Sequence, residues 1–258
     1  MRHLFHLLVF SLKTISGLWL AGALVLAAAS VRAGELPVLV LNDANEPPFT
    51  TTDGQGFLDL VAGEAFRRAG VRLRLVRLPA ERGLVNANAG LEDGDLTRIS
   101  GLEAGYPNLI RVPEKLIDWE FSAFSRQGPR QASWESLRTQ SLGHIRGWKI
   151  YEHKLAATPA GITAEDAAQL FRLLQLGRIE VALFERWQGL ARIERERLAG
   201  VHMLEPPLAR REMYIYLHKR HAALVPRIAR ALRDIKAEGL YDRVYREKVL
   251  SLVGTPGR

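Results

Sequence analysis

After residue 36, short apolar runs alternate with stretches of helical periodicity, and this order restricts the fold more than any other feature. The runs 37–41 and 71–78 predict strands. Between them, Leu58, Val61 and Ala65 recur at the spacing of one helix face. Strands that alternate with helices favour a parallel sheet covered by helices, because the right-handed crossover returns each strand to the same sheet.

The same alternation continues to the end of the chain. We expect a helix over 79–89 and a strand around 95–99, and a second α/β unit begins with a strand at 142–145. Thr163 is a candidate N-cap for the helix that follows, since threonine accepts a hydrogen bond from the first turn. The later predictions are strands at 181–184 and 213–217, an amphipathic helix over 224–235 and a short helix over 240–249.

The first 33 residues have the composition of a secretory signal. Arg2 and Lys13 precede an uncharged apolar run, and 31–33 offers small residues for cleavage. The alternative is an N-terminal membrane anchor, but the apolar run is shorter than the ~20 residues that span a bilayer. We therefore expect an exported protein that begins near Gly34.

Composition removes several classes of site. The 258 residues include no cysteine, which excludes disulfides, thiolate metal sites and a cysteine nucleophile. The net charge of +8 comes from arginines interspersed with acids, as in 192–197, which predicts a solvated helix face rather than a nucleic-acid surface. Nucleophile-elbow, phosphate-loop and zinc-protease motifs are all missing, so we expect no enzyme, cofactor or metal.

Four segments carry a resemblance to a known family. The loop that ends in Pro47-Pro48-Phe49, followed by Asp53-Gly54, is similar to a "D-x-x-x-P-P-F" opening. The segments 118–122, 177–185 and 231–239 are similar to its "D-F-S", "G-R-x-D-A" and C-terminal helix motifs. Over the whole chain after the signal, the order of these motifs resembles the family-3 extracellular solute-binding proteins of ABC importers.

The resemblance implies a two-lobed α/β fold of the type II periplasmic-binding-protein (Venus-flytrap) class. Lobe 1 would comprise 34–121 and 214–258, and lobe 2 would comprise 122–213. A small polar solute, an amino acid or another small carboxylate, would bind between the lobes, and closure would be a hinge motion. The implied setting is a periplasmic monomer that presents its solute to a membrane permease.

The resemblance also implies which residues contact the ligand. These are Asp43, Glu46, Phe49, Arg98, Ser100, Arg146, Trp148 and Glu185.

One departure concerns the carboxylate of the ligand. The family has an arginine at the end of a "T-x-x-x-R" run, whereas 100–105 of this chain contains none. Arg98 or Arg146 would replace it, since a guanidinium forks onto a carboxylate. The alternatives are a salt bridge for Arg98 and a turn position for Arg146. Asp43 with Glu46, or Glu185, would hold a cationic group.

Two other functions stay open at this point. The same fold serves as the outer domain of some signalling kinases, so a ligand sensor that docks to a membrane receptor is one alternative. A dehydratase-like enzyme on this fold is the other, with Glu185 as its general acid-base.

Overall fold

The computed structural model describes residues 35–127, 131–156 and 161–252. The expected signal at 1–33 lies outside these ranges. The strands are β1 Val38–Asp43, β2 Arg72–Arg77, β3 Gly94–Ile99, β4 Leu109–Arg111, β5 Ile117–Ser125, β6 Leu142–Ile145, β7 Gly161–Ala164, β8 Val181–Glu185 and β9 His202–His218. The α-helices are α1 Phe57–Arg68, α2 Ala80–Ala89, α3 Lys149–Leu155, α4 Ala167–Gln175, α5 Arg186–Glu196, α6 Val225–Ala237 and α7 Leu240–Lys248.

The nine strands of the described ranges form one mixed sheet with the order β2-β1-β3-β9-β5-β8-β6-β7, and β4 also pairs with β9. β1 is parallel to β2 and β3, and β6 is parallel to β7 and β8. The two parallel groups are joined by the long antiparallel pair β5 and β9. We call the group around β1 lobe 1, with α1, α2, α6 and α7, and the group around β6 lobe 2, with α3 to α5. The exact boundaries at 121 and 213 stay a prediction, because β5 and β9 run through them.

Helix ends follow local rules of backbone chemistry. α2 ends at Gly90, whose φ of 79° places it in the left-handed region that glycine adopts without strain. α6 carries Pro226 in its first turn, where the missing N–H would have no intrahelical partner. Buried apolar side chains from both lobes belong to one continuous core. None of the described helices is long and apolar enough to span a bilayer.

One local prediction is wrong, and one predicted strand is present but longer than expected. Thr163 does not cap a helix; it lies in β7, and Asp166 caps α4 by accepting a hydrogen bond from the backbone N–H of Gln169 at 2.8 Å. The strand predicted at 213–217 is the end of the 17-residue β9. Pro206 and charged residues interrupt the apolar pattern there, and a register shift between β5 and β9 accommodates the proline.

The run 192–197 is also not simply a solvated helix face. It forms the end of α5, and Arg192 is buried between the lobes instead of facing water. The alternating charges concealed this position, because spacing alone does not reveal that a carboxylate from lobe 1 lies opposite.

Candidate functional site

The loops after β1, β2 and β6 meet where the two lobes face each other. Two adjacent cavities lie between them and share Ala44, Asn45 and Trp148 as lining residues. The first, which we call the Arg98 cavity after one of its lining residues, has a volume of about 30 Å³. The second, which we call the Arg77 cavity for the same reason, has a volume of about 330 Å³. Carboxyl ends of parallel strands are where ligands of open α/β sheets gather, so this is the candidate site.

Most residues that line the Arg98 cavity are apolar, and two of its lining residues carry buried donor nitrogens. Arg98 lies near the end of β3, and its Nη2 donates to the backbone oxygen of Ala80 at 2.6 Å and to Asp95 Oδ2 at 2.7 Å. Its Nε has no hydrogen-bond partner among the described residues, and neither has Nε1 of Trp119 on β5. The two side chains are 7% and 5% exposed, so neither nitrogen is hydrated from bulk water. The salt bridge expected as the alternative for Arg98 is therefore present, and one donor remains free beside it.

The Arg77 cavity is rich in acceptors. Lobe 1 contributes Asp43, Asn45, Glu46 and Arg77, and lobe 2 contributes residues that include Glu165 and Asp166. Asn45 is buried, and its Nδ2 donates to Asp43 Oδ1 at 2.6 Å and to Thr97 Oγ1 at 2.5 Å. Its Oδ1 has no partner among the described residues.

Asp43 organises the loop after β1. Its Oδ1 accepts from the backbone N–H of Asn45 at 2.9 Å, and its Oδ2 accepts from the hydroxyl of Thr50 at 2.7 Å. Burial raises the pKa of the Asp43 carboxyl, and these hydrogen bonds oppose that shift. The carboxylate thus lines the cavity and also fixes the loop that carries Asn45.

Trp148 forms the wall between the two cavities. Its ring stacks on Phe184 of β8 with centroids 4.9 Å apart, and it lies 5.1 Å from the ring of Trp119. Trp148 follows Gly147, which has a φ of 83° and packs against the backbone of α2. A Cβ at Gly147 would lie 2.4 Å from the backbone nitrogen of Glu81. The turn after β6 therefore brings lobe 2 into backbone contact with lobe 1.

Glu46 contacts lobe 2 directly. Arg192 of α5 donates from Nη2 to Glu46 Oε1 at 2.7 Å and to Oε2 at 2.6 Å, and from Nε to Oε2 at 3.1 Å. The backbone N–H of Glu46 donates to Gln188 Oε1 at 2.7 Å. On α2, Glu81 Oε2 accepts from Lys149 Nζ at 2.5 Å. These two ion pairs, with a longer contact of 3.9 Å between Arg195 Nη2 and Glu46 Oε2, join the lobes.

Glu185 lies outside both cavities. It is fully buried at the end of β8, where its Oε2 accepts from the backbone N–H of Gln188 at 2.9 Å and so caps α5. Burial raises the pKa of this carboxyl to about 8. The neighbouring Arg186 pairs with Glu120 and Glu205 rather than with Glu185.

Three other predicted contacts also lie away from the cavity walls. Phe49 is fully buried and stacks on Trp119, with ring centroids 6.3 Å apart. Ser100 is exposed and lines neither cavity. Arg146 is exposed and pairs with Glu165 at 2.9 Å. Of the eight residues predicted to contact ligand, the structure brings Asp43, Glu46, Arg98 and Trp148 to the cavities.

Sequence reasoning missed Asn45, Arg77, Trp119 and Arg192. The first two follow β1 and end β2, so the rule that ligands gather at carboxyl strand ends points to them. Trp119 lies inside the family-like 118–122 segment, but the motif does not reveal that its indole N–H is unpaired. Nothing in the sequence marks Arg192 as an interlobe residue.

Comparisons with solved structures place this architecture among known folds. A histidine kinase sensor domain with similarity to periplasmic binding proteins is 17% identical with a TM-score of 0.73, covering 84% of this chain and 97% of its own. An ancestral arginine-binding protein bound to arginine is 18% identical with a TM-score of 0.70, covering 83% and 98%. The arginine-, lysine-, histidine-binding protein ArtJ of Geobacillus stearothermophilus is 14% identical with a TM-score of 0.70, covering 82% and 94%.

These alignments extend over nearly the whole of each compared chain. The fold is that of a type II periplasmic binding protein. This confirms the two-lobed α/β class expected from the sequence. A sequence relative, an uncharacterized protein of Shewanella oneidensis, is 25% identical over 197 residues, 72% of this chain and 73% of its own length. No protein-family model matches the chain.

Proposed function

We propose that this protein captures a small polar solute between its two lobes, with an anionic group of the solute in the Arg98 cavity. The observation that carries the proposal is a pair of buried donors, Arg98 Nε and Trp119 Nε1, which have no partner among the described residues and belong to two residues that line one cavity. Buried polar atoms in folded proteins nearly always have a partner. Two free donors at an interlobe cavity are therefore matched by an acceptor such as a carboxylate, which also suits a guanidinium electrostatically.

The second cavity supports a solute with a positive group as well. Asn45 Oδ1 is a buried acceptor without a partner in the described ranges, and Asp43 and Glu46 line the same cavity. A volume of about 330 Å³ falls at the lower end of the range of small-molecule sites. Donors on one side of Trp148 and acceptors on the other fit a zwitterion such as an amino acid.

We further propose that the protein works in the periplasm, after removal of 1–33, and presents its solute to an ABC importer as a monomer without cofactor or metal. The solved arginine-binding proteins share its fold, and they are named for binding rather than for catalysis. A second candidate is a sensor that docks to a membrane receptor, which the likeness to a kinase sensor domain favours. Neither role calls for chemistry by Glu185, which lies outside both cavities.

A thermal-shift screen tests the binding proposal. The melting temperature of ligand-free protein is measured with amino acids, small carboxylates and polyamines. Each solute is present at a concentration one hundred times the dissociation constant that the screen is designed to detect. At that concentration, a solute that binds only the folded state raises the free energy of unfolding by ~2.7 kcal/mol. We expect a rise in Tm with one class of zwitterion or carboxylate.

The site is then tested with Arg98→Lys and Trp119→Phe. The lysine keeps a positive charge for Asp95 and loses the Nε–H, so we expect the fold to persist and the shift to fall. The control is Arg74→Lys, an exposed arginine on β2. If the hit survives both site variants unchanged, the solute does not use this donor pair; if no solute raises Tm, the protein-docking sensor becomes the better proposal.

A further inference from the structure

We propose that Glu46 and Arg192 form a latch that holds the two lobes closed on each other without a contribution from the solute. The two residues are 146 positions apart and belong to opposite lobes. Proteins of this architecture open by rotation at the strands that join the lobes. Opening separates Glu46 from Arg192, so any free energy in this contact favours the closed form directly.

The geometry of the contact is that of a strong ion pair. The guanidinium donates to both oxygens of Glu46 in three hydrogen bonds of 2.6–3.1 Å. Such forked, charge-assisted bonds are among the stronger ones in proteins. The Arg192 side chain is only 5% exposed and the Glu46 side chain 21%, whereas pairs of fully exposed side chains contribute little.

Neighbouring contacts hold each partner in place. Arg192 Nη1 also donates to Glu196 Oε1 at 2.5 Å, one turn later on α5. Gln188, one turn earlier, accepts from the backbone N–H of Glu46 at 2.7 Å. One face of α5 therefore binds Glu46 twice, through Gln188 at its backbone N–H and through Arg192 at its side chain.

The energetic scale of the latch is modest, because both charges return to water when the lobes separate. The hydration free energy that the two charges regain on opening offsets part of their attraction. We expect loss of the latch to lower the ratio of closed to open molecules about tenfold, which corresponds to ~1.4 kcal/mol. A shift of this size changes the average shape of the molecule in solution.

Small-angle X-ray scattering of the ligand-free protein, purified from expression of the full chain, measures that shape. A compact chain of this length has a radius of gyration of about 17–18 Å. We expect Arg192→Met and Glu46→Gln each to increase the radius of gyration, and the charge swap Glu46→Arg with Arg192→Glu to return it toward the wild-type value. Arg172→Met, an exposed arginine on α4 of the same lobe, is the matched control and leaves it unchanged.

Circular dichroism and melting distinguish lobe opening from unfolding, and Glu46→Gln tests the latch from the lobe that does not carry Arg192. If both single variants are folded and keep the wild-type radius of gyration, the latch does not exist. If the swap fails to reduce the radius while the single variants are enlarged, Glu46 and Arg192 act separately and the proposal is again overturned. No solute enters this experiment, so its result is independent of the proposed binding function.

Discussion

Individual polar atoms carry most of the information about function in this molecule. Arg98 has one nitrogen committed to Asp95 and Ala80 and another left free, so the same side chain is structural and available for a ligand. Glu185 shows the opposite case: its Oε1 also has no partner in the part of the chain that the structure describes, but this atom lies in the interior next to the N-terminus of α5. An unpaired atom indicates a ligand only where a cavity adjoins it, and elsewhere it predicts a cost to stability.

Glu185 should make the stability of the protein depend on pH. Its pKa is about 8 in the folded protein against an ordinary 4.5, so the folded state favours the neutral form. The stability contributed by that form is complete below pH 4.5 and is lost as pH rises to about 8. Glu185→Gln stays neutral, and we expect its Tm to fall less than the wild-type Tm between pH 5 and 9.

Melting curves at one-unit pH intervals measure this effect. Glu194→Gln, an exposed position on the same helix, is the control and should follow the wild-type curve. Parallel pH profiles for the wild type and Glu185→Gln would show that the carboxyl is ionised throughout the range.

At the scale of elements, the loops and helix starts of lobe 2 determine what faces lobe 1. α4 and α5 both begin directly after a bend or strand and both are capped by an acidic side chain, Asp166 and Glu185. A carboxyl oxygen at the N-cap accepts a hydrogen bond from a backbone N–H of the first turn that has no partner within the helix. The caps therefore fix where α4 meets the Arg77 cavity and where α5 presents Arg192.

The position of the α4 cap can be tested by paired substitutions. Asp166→Ala removes the side-chain acceptor for Gln169 N–H, and we expect a loss of about 1 kcal/mol in the free energy of unfolding. Thr163→Ala alters a strand residue and should cost less. Chemical denaturation of both variants measures the difference, and an equal or larger effect at Thr163 would contradict the assignment of the cap.

How well the sequence predicts a feature depends on how far apart in the chain the interacting residues are. Helices such as α1 and α6, and strands such as β6, were predicted closely because their periodicity is local. Asp43, Glu46, Arg98 and Trp148 were placed near the cleft by motif order. Arg192 was misread, since its burial depends on a partner 146 residues away.

For the whole molecule, contact between the lobes depends on the turn after β6 as much as on charge. Gly147 lets the backbone of lobe 2 approach α2 so closely that a Cβ would lie 2.4 Å from Glu81 N. Because this clash would be with a backbone atom, the rotation of a side chain cannot relieve it. The closed arrangement therefore requires a glycine at this position for two reasons, its φ of 83° and its missing side chain.

Gly147→Ala should open the lobes rather than unfold them. We expect the indoles of Trp119 and Trp148, which line the cleft, to become more accessible to acrylamide quenching. Gly177→Ala is the matched control, because Gly177 also has a positive φ, of 65°, and has nothing within 4 Å of the added Cβ. Both variants carry the strain of a positive φ, roughly 1–2 kcal/mol. Equal quenching in the two variants would mean that the Gly147 contact does not control closure.

The central position of β9 has a consequence for how the protein folds during its synthesis. The parallel strands of lobe 2 come from one stretch, 142–185, whereas the second partner of β3 in lobe 1 is residues 213–217 of β9. A ribosome delivers these segments in that order, and domains generally fold as they emerge. Lobe 2 can assemble early, but lobe 1 stays incomplete until β9, α6 and α7 have been made. Products truncated before β9 therefore contain an incomplete lobe 1, which makes them more susceptible to proteolysis.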